Sequence, residues 1–284
     1  MYEVIFLSVL AVLWLAFASI QDLRKRMVAN WISFSLIIFV LGFRFFYSLF
    51  NEIGFGFFYQ GLFGLGIFFL LGNLFYYGRM FAGGDAKILI ALGPILAFST
   101  DFFINLKIYL LFLLMFLFVG AFYGIGWNVF LSLKNPKQVK KELKKHFNNS
   151  KKIIYLSTII SIAFLVLGFY ELFYIYFGIF IFFMPYLYFY VKAVDESCLI
   201  KNIKVKNLEE GDWLYDDLKI GKNTIKKSWQ GLSEGDIKKI RKKLKSVKIR
   251  EGIPFVPVFL ISFLLLSYVW FFYFEMIVDF FGLL

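Results

Sequence analysis

The 284-residue chain is 61% hydrophobic and 23% aromatic, with 41 Phe and only 18% charged residues. Soluble domains are about half apolar and about a quarter charged, so this composition excludes a soluble globular domain, a disordered chain and a fibrous repeat. The net charge is +12, while a single cysteine (Cys198) and a single histidine (His146) argue against an internal disulfide, a Ser-His-Asp triad and a histidine-based metal site.

A bilayer core about 30 Å thick is crossed by roughly 20 apolar residues in a helix. Eight stretches qualify as predicted spans: 3–20, 31–50, 57–77, 87–100, 106–133, 153–169, 172–191 and 254–274. The first lacks a basic n-region and an A-x-A site, so it reads as a retained helix and not as a signal peptide. The fourth is short and holds Pro94, which predicts a kinked or slanted crossing. The apolar run 153–191 is too long for one span, and Glu171 near its middle marks a hairpin. Gly61, Gly64 and Gly66 in the third span predict close helix packing, and Asn73 there predicts a bond to a neighbouring helix.

The basic residues follow this segmentation. Numbering the gaps alternately, all but Arg44 and Lys107 of the 31 fall on one side. Positive residues mark the cytoplasmic side, so both termini are expected outside. The charge reads as a topology signal and an attraction to anionic lipid heads, with no nucleic-acid partner. The loop 134–152 carries eight lysines around a helical middle, and His146 reads as a surface residue within it.

Three regions are expected: a membrane domain over 1–191, a cytoplasmic α+β module over 192–252, and a last transmembrane helix with an outer tail over 253–284. The expected fold is an all-α polytopic membrane protein with about eight transmembrane helices plus that module. In the module, Leu199 to Val205 predicts a strand, Gly211 and Gly221 predict turns, and Val247 with Ile249 predicts a second strand. Ser233-Glu234-Gly235-Asp236 predicts a capped helix running to about Leu244. Gly231-Leu232-Ser233-Glu234-Gly235 matches the G-x-S-x-G elbow, but the elbow needs a preceding strand and a histidine partner, so Ser233 reads as a helix cap.

Acidic residues at membrane spans are costly and functional. Of the 19 acids, ten lie in the module and Glu142 in the basic loop. Glu3, Glu52, Asp101, Glu171, Glu275 and Asp279 fall at outer ends or turns. Asp22 and Asp85 remain, both at the same predicted face. Two carboxylates sharing a site hold one proton between them, and such a pair can activate water without histidine, cysteine or metal. Asp85 follows Gly83 and Gly84, which allow close backbone approach and unusual dihedrals. The structural alternative is a glycine turn with Asp85 as a helix N-cap. A proton relay in a small-solute or proton-coupled transporter is the functional alternative for the pair, and a structural membrane subunit is another.

These residues resemble a family. Ala82-Gly83-Gly84-Asp85 looks like the G-x-G-D signature of membrane aspartyl proteases, with Ala in place of the first glycine. The segment from Asp22 through Arg24-Lys25-Arg26 to Asn30-Trp31 resembles the first-aspartate segment of type IV prepilin peptidases. Gly84-Asp85-Ala86-Lys87 with Leu92-Gly93 resembles their second. Glu251 to Pro257 and the run Leu208 to Gly221 resemble the archaeal branch, the prepilin/preflagellin peptidases. The resemblance implies an aspartic endopeptidase with Asp22 and Asp85 as the catalytic pair, no cofactor and no metal. It implies Gly83 and Gly84 as a substrate-facing turn, with Lys87 and Asn30 as local support. The implied partners are prepilin-like or preflagellin-like membrane proteins, cleaved behind a short basic leader at the cytoplasmic face.

Overall fold

The computed structural model describes residues 2–51, 54–220 and 223–273; Glu52, Gly221, Glu275, Asp279 and the expected tail 274–284 lie outside the described residues. The helices are α1 (Tyr2–Lys25), α2 (Asn30–Phe50), α3 (Gly56–Tyr77), α4 (Gly83–Leu92), α5 (Phe102–Lys134), α6 (Pro136–Asn149), α7 (Lys151–Leu167), α8 (Leu172–Val194), α9 (Glu234–Arg241) and α10 (Val256–Phe272). The strands are β1 (Ile200–Lys204), β2 (Trp213–Leu214), β3 (Leu218–Ile220), β4 (Asn223–Ile225) and β5 (Ser246–Arg250). The chain is a polytopic, mainly helical membrane protein with a small sheet region. Among the described residues, five helices are long and apolar enough to cross a membrane, or up to six if the α6–α7 pair, bent by 73°, counts as one span. α10 is a shorter apolar helix of 17 residues. The predicted fourth span is α4, which begins earlier, at Gly83, and gives way after Leu92 to a non-helical stretch before α5.

The chain divides into two compact units, Met1–Gly124 with Ile253–Leu284, and Ile125–Gly252. In the first, buried positions recur every three or four residues, as a helix packed on one face requires. On α1 they are Val4, Ser8, Ala11, Leu15, Ala18 and Asp22. On α10 they are Phe259, Ser262, Phe263, Leu266 and Trp270. α1 packs on α10, and α4 lies against α2, α3 and α10.

The glycines of α3 work as predicted at two of three positions. A Cβ on Gly64 would lie 2.3 Å from the Gly93 carbonyl oxygen, and one on Gly61 would lie 2.6 Å from the Arg44 side chain. Gly66 has nothing within 4 Å, so close packing there is not observed. Asn73 donates to the Phe69 carbonyl of its own helix at 2.8 Å, not to a neighbour, because its side chain is directed back along α3. Arg44 falls on the buried stripe of α2 and is fully enclosed. Its guanidinium donates to the carbonyls of Phe57 and Ala97 and lies 4.1 Å from the Phe57 ring centroid. This basic side chain therefore ties the chain before α5 to the start of α3, a structural use that charge counting does not anticipate.

In the second unit, α7 and α8 form the expected hairpin, turning at Gly168–Glu171. β1, β5 and β2 make an antiparallel sheet in the order β1-β5-β2, and β3–β4 form a separate antiparallel pair. Val247 and Ile249 point inward from β5, as their alternation predicts, against Val205, Leu214, Ile237 and Ile240. Ser233 caps α9 as predicted, its hydroxyl accepting from the Asp236 amide at 3.2 Å and donating to Asp236 Oδ2 at 2.7 Å. Arg250 on β5 pairs with Asp195, in the turn that follows α8.

His146 is not a surface residue. It is 8% exposed, because it lies on the face of α6 that packs against α8, where its ring stacks on Phe189.

The packing predicts a contrast between two glycines one helical turn or less apart. Gly64→Ala should destabilise the detergent-solubilised protein by about 1–3 kcal/mol, as overpacking of a tight contact does. Gly66→Ala should leave its thermal midpoint unchanged or slightly raised; equal effects at both positions would contradict the close α3–α4 contact.

Candidate active site

Asp22 reaches the interior by periodicity. It continues the α1 stripe one turn beyond Ala18 and is 6% exposed. A buried carboxylate needs partners, and the start of α10 supplies them. The Val256 amide donates to Asp22 Oδ2 at 2.9 Å, and the Phe255 backbone also bonds to it. The first amides of a helix have no intrahelical acceptor and carry the positive end of its dipole. Asp22 therefore serves α10 as a cap donated from 234 residues away.

Asp85 is placed by a different local rule. Ala82 is the N-cap of α4, so Asp85 occupies the third position of the first turn and is not itself the N-cap. From there its carboxylate accepts from the Ala82 backbone, the backward half of a capping-box arrangement. Gly83 and Gly84 are the first two helical residues, and neither has a positive φ. The predicted unusual dihedrals are absent there; the left-handed residue of this connection is Arg79, at φ 59°. The predicted close approach is not observed either: a Cβ on Gly84 would meet Val28 Cβ at 3.7 Å, an ordinary van der Waals distance, so Gly84 packs on Val28 with room for a methyl group.

That contact brings the two aspartate segments together. The connection between α1 and α2 is held by the Ala29 amide, which donates to Gln21 Oε1 at 2.9 Å. Lys87 Nζ donates to Asn30 Oδ1 at 2.6 Å, joining α4 to the first residue of α2. The two expected supporting residues are thus one another's partners. Asp85 lies outside the spanning helices, and its carboxyl is pushed up to about 7, first by burial and then by the charge of Asp22.

Sequence reading missed the walls of this site. Phe81 packs edge-on against Phe116 and Phe259, and Phe255 packs edge-on against Phe116. This aromatic cluster anchors the chain four residues before Asp85 and the residue beside the Asp22 amide partner. Tyr123 of α5 sits edge-on to Phe255 and within electrostatic reach of Asp22. Aromatics occur in every span, so only the two aspartates could have singled these out. Asp216 and Asp217 lie in the second unit, where Asp217 accepts from the Lys227 amide at 2.8 Å.

The electrostatics predict that Asp85 titrates near 7 and that Asp22→Asn lowers this value, since it removes the neighbouring negative charge. Infrared titration of isotope-labelled aspartate carboxyls would read the shift; an unchanged or raised value would separate the two groups.

Residues 9–125 match the family described as the type IV leader peptidase family. No curated protein and no solved structure matches the chain. The matched segment runs from α1 into α5 and contains Asp22, Asn30, Gly83, Gly84, Asp85 and Lys87. The match covers 117 of the 284 residues, so the likeness to the type IV leader peptidase family is one of this segment.

Proposed function

We propose that this protein is an aspartic endopeptidase that removes the short basic leader of prepilin-like or preflagellin-like membrane proteins at the cytoplasmic face. The observation that carries the reading is the meeting of the two aspartate segments, joined by the Lys87–Asn30 hydrogen bond and the packing of Gly84 on Val28, within the residues that match the leader peptidase family. The one-sided distribution of Lys and Arg supports a cytoplasmic position for both aspartates. Their location, in the last turns of α1 and the first turn of α4, favours a protease over a transporter relay, which would place acids at mid-span.

The substrate's apolar helix docks among the spans, and its leader extends past the first turn of α4. Asp85 holds the shared proton, because burial and a neighbouring carboxylate both favour its neutral form. Asp22 serves as the base, because it accepts hydrogen bonds from the backbone at the start of α10, and such bonds favour a carboxylate over a carboxylic acid. A water lies between the two carboxyls. Asp22 takes a proton as the water oxygen bonds to the scissile carbonyl carbon, and Asp85 gives its proton to the developing oxyanion. The gem-diol intermediate then collapses: the C–N bond breaks, the amine leaves with the proton from Asp22, and one hydroxyl returns its proton to Asp85. The leader departs as a carboxylic acid and the mature protein keeps a new amino terminus. Roles and proton belong to the pair, which titrates as one system.

Asp22→Asn and Asp85→Asn should each reduce leader cleavage in membranes by about 10²–10⁴-fold, the scale of lost acid–base catalysis, with membrane insertion intact. Robust processing by either variant would sink the mechanism. Activity should fall as pH rises through about 7, where Asp85 loses its proton, and fall again in acid, where both carboxyls are protonated. A rate that keeps rising above pH 8 would remove Asp85 as the acid.

A further inference from the structure

We propose that Glu142, His146 and Glu196 form a binding site for a divalent transition metal of the zinc class, independent of the two aspartates. All three residues belong to the second unit. Glu142 and His146 are four residues apart on α6 and so share one face. Glu196 follows α8 in the turn Asp195–Leu199, whose position is fixed by the Asp195–Arg250 pair and by Ser197, which donates to the Ala193 carbonyl. α6 packs on α8, with the imidazole stacked on Phe189 at 6.4 Å and 9°.

One ligand atom from each residue lies within 4.8 Å of the other two, and His146 Nε2 is 3.1 Å from Glu196 Oε2. Zinc bonds nitrogen and carboxylate oxygen at about 2.0–2.2 Å, which sets tetrahedral ligand atoms about 3.4 Å apart. Small rotations of two glutamates reach that spacing. The imidazole disfavours magnesium and calcium, which prefer all-oxygen shells. Two carboxylates and a neutral imidazole carry a charge of −2, which a divalent ion neutralises. Lys145 Nζ already sits 2.8 Å from Glu142 Oε2, where it supplies one positive charge and competes for that oxygen. Three protein ligands leave one position open to water.

The ion would clamp α6 to the end of α8. The sequence carries no metal motif because its single histidine meets Glu196 across 50 residues of chain.

The test uses the full-length protein in detergent, stripped with a chelator and titrated with Zn²⁺ and with Co²⁺. One equivalent should bind, with a cobalt d–d absorption. Losses at residues behind metal ligands run about 10–100-fold, so His146→Ala and Glu196→Gln should weaken binding more than about tenfold. Lys145→Gln should tighten it by freeing Glu142, a gain that misfolding cannot mimic. The Asp22→Asn/Asp85→Asn double variant should bind as the parent does. Absence of stoichiometric binding would reduce the cluster to an ion pair between His146 and Glu196. Binding unaffected by His146→Ala and Glu196→Gln, or lost in the aspartate double variant, would place the ion elsewhere and overturn the site.

Discussion

The first unit is closed by one hydrogen-bonded contact across nearly the whole chain. Asp22, near the end of the first helix, receives the Val256 amide at the start of the last. In an apolar surrounding neither group can be left alone: the carboxylate needs donors and the helix start needs an acceptor. Each satisfies the other, so the pairing sets the register of α1 against α10. The same contact fixes Oδ2 of Asp22 and brings α10, with Phe255, against Phe81 of the chain before Asp85.

Around that contact, small residues decide how closely the backbones approach. Gly64 and Gly93 let α3 meet the chain after α4 with no room for a methyl group. Arg44 then donates to the Ala97 carbonyl of this non-helical stretch and to the Phe57 carbonyl of α3. A buried guanidinium is tolerable only with such acceptors and a ring face to cover it. The short α4 is thereby held from both ends, which fixes the direction of its first turn and of Asp85.

The second unit is organised by different chemistry. Its sheet is small and its core consists of a few aliphatic side chains around Val247, Ile249 and Ile240. A core of that size is marginal alone. Polar ties add to it, among them Arg250 with Asp195 and His146 with Glu196. The lysine-rich α6 shows how one helix serves two purposes. Its lysines lie toward solvent, while Val139 and His146 are buried.

Composition and periodicity alone determined that this is a membrane protein, where most of its helices run, that the module holds a strand within Leu199 to Val205 and another through Val247 and Ile249, and that Asp22 and Asp85 stand apart from the other acids. Those conclusions rest on local rules: apolar length, helical spacing and the cost of charge in lipid. The tertiary structure decided that Asp22 caps α10, that Asp85 is a third-position residue behind an Ala82 cap, and that Lys87 and Asn30 meet. It also decided that Arg44 and His146 are buried and that Gly66 packs against nothing. Each of these depends on which distant backbone or side chain arrives opposite, and one sequence contains no term for partners 50 or 234 residues away.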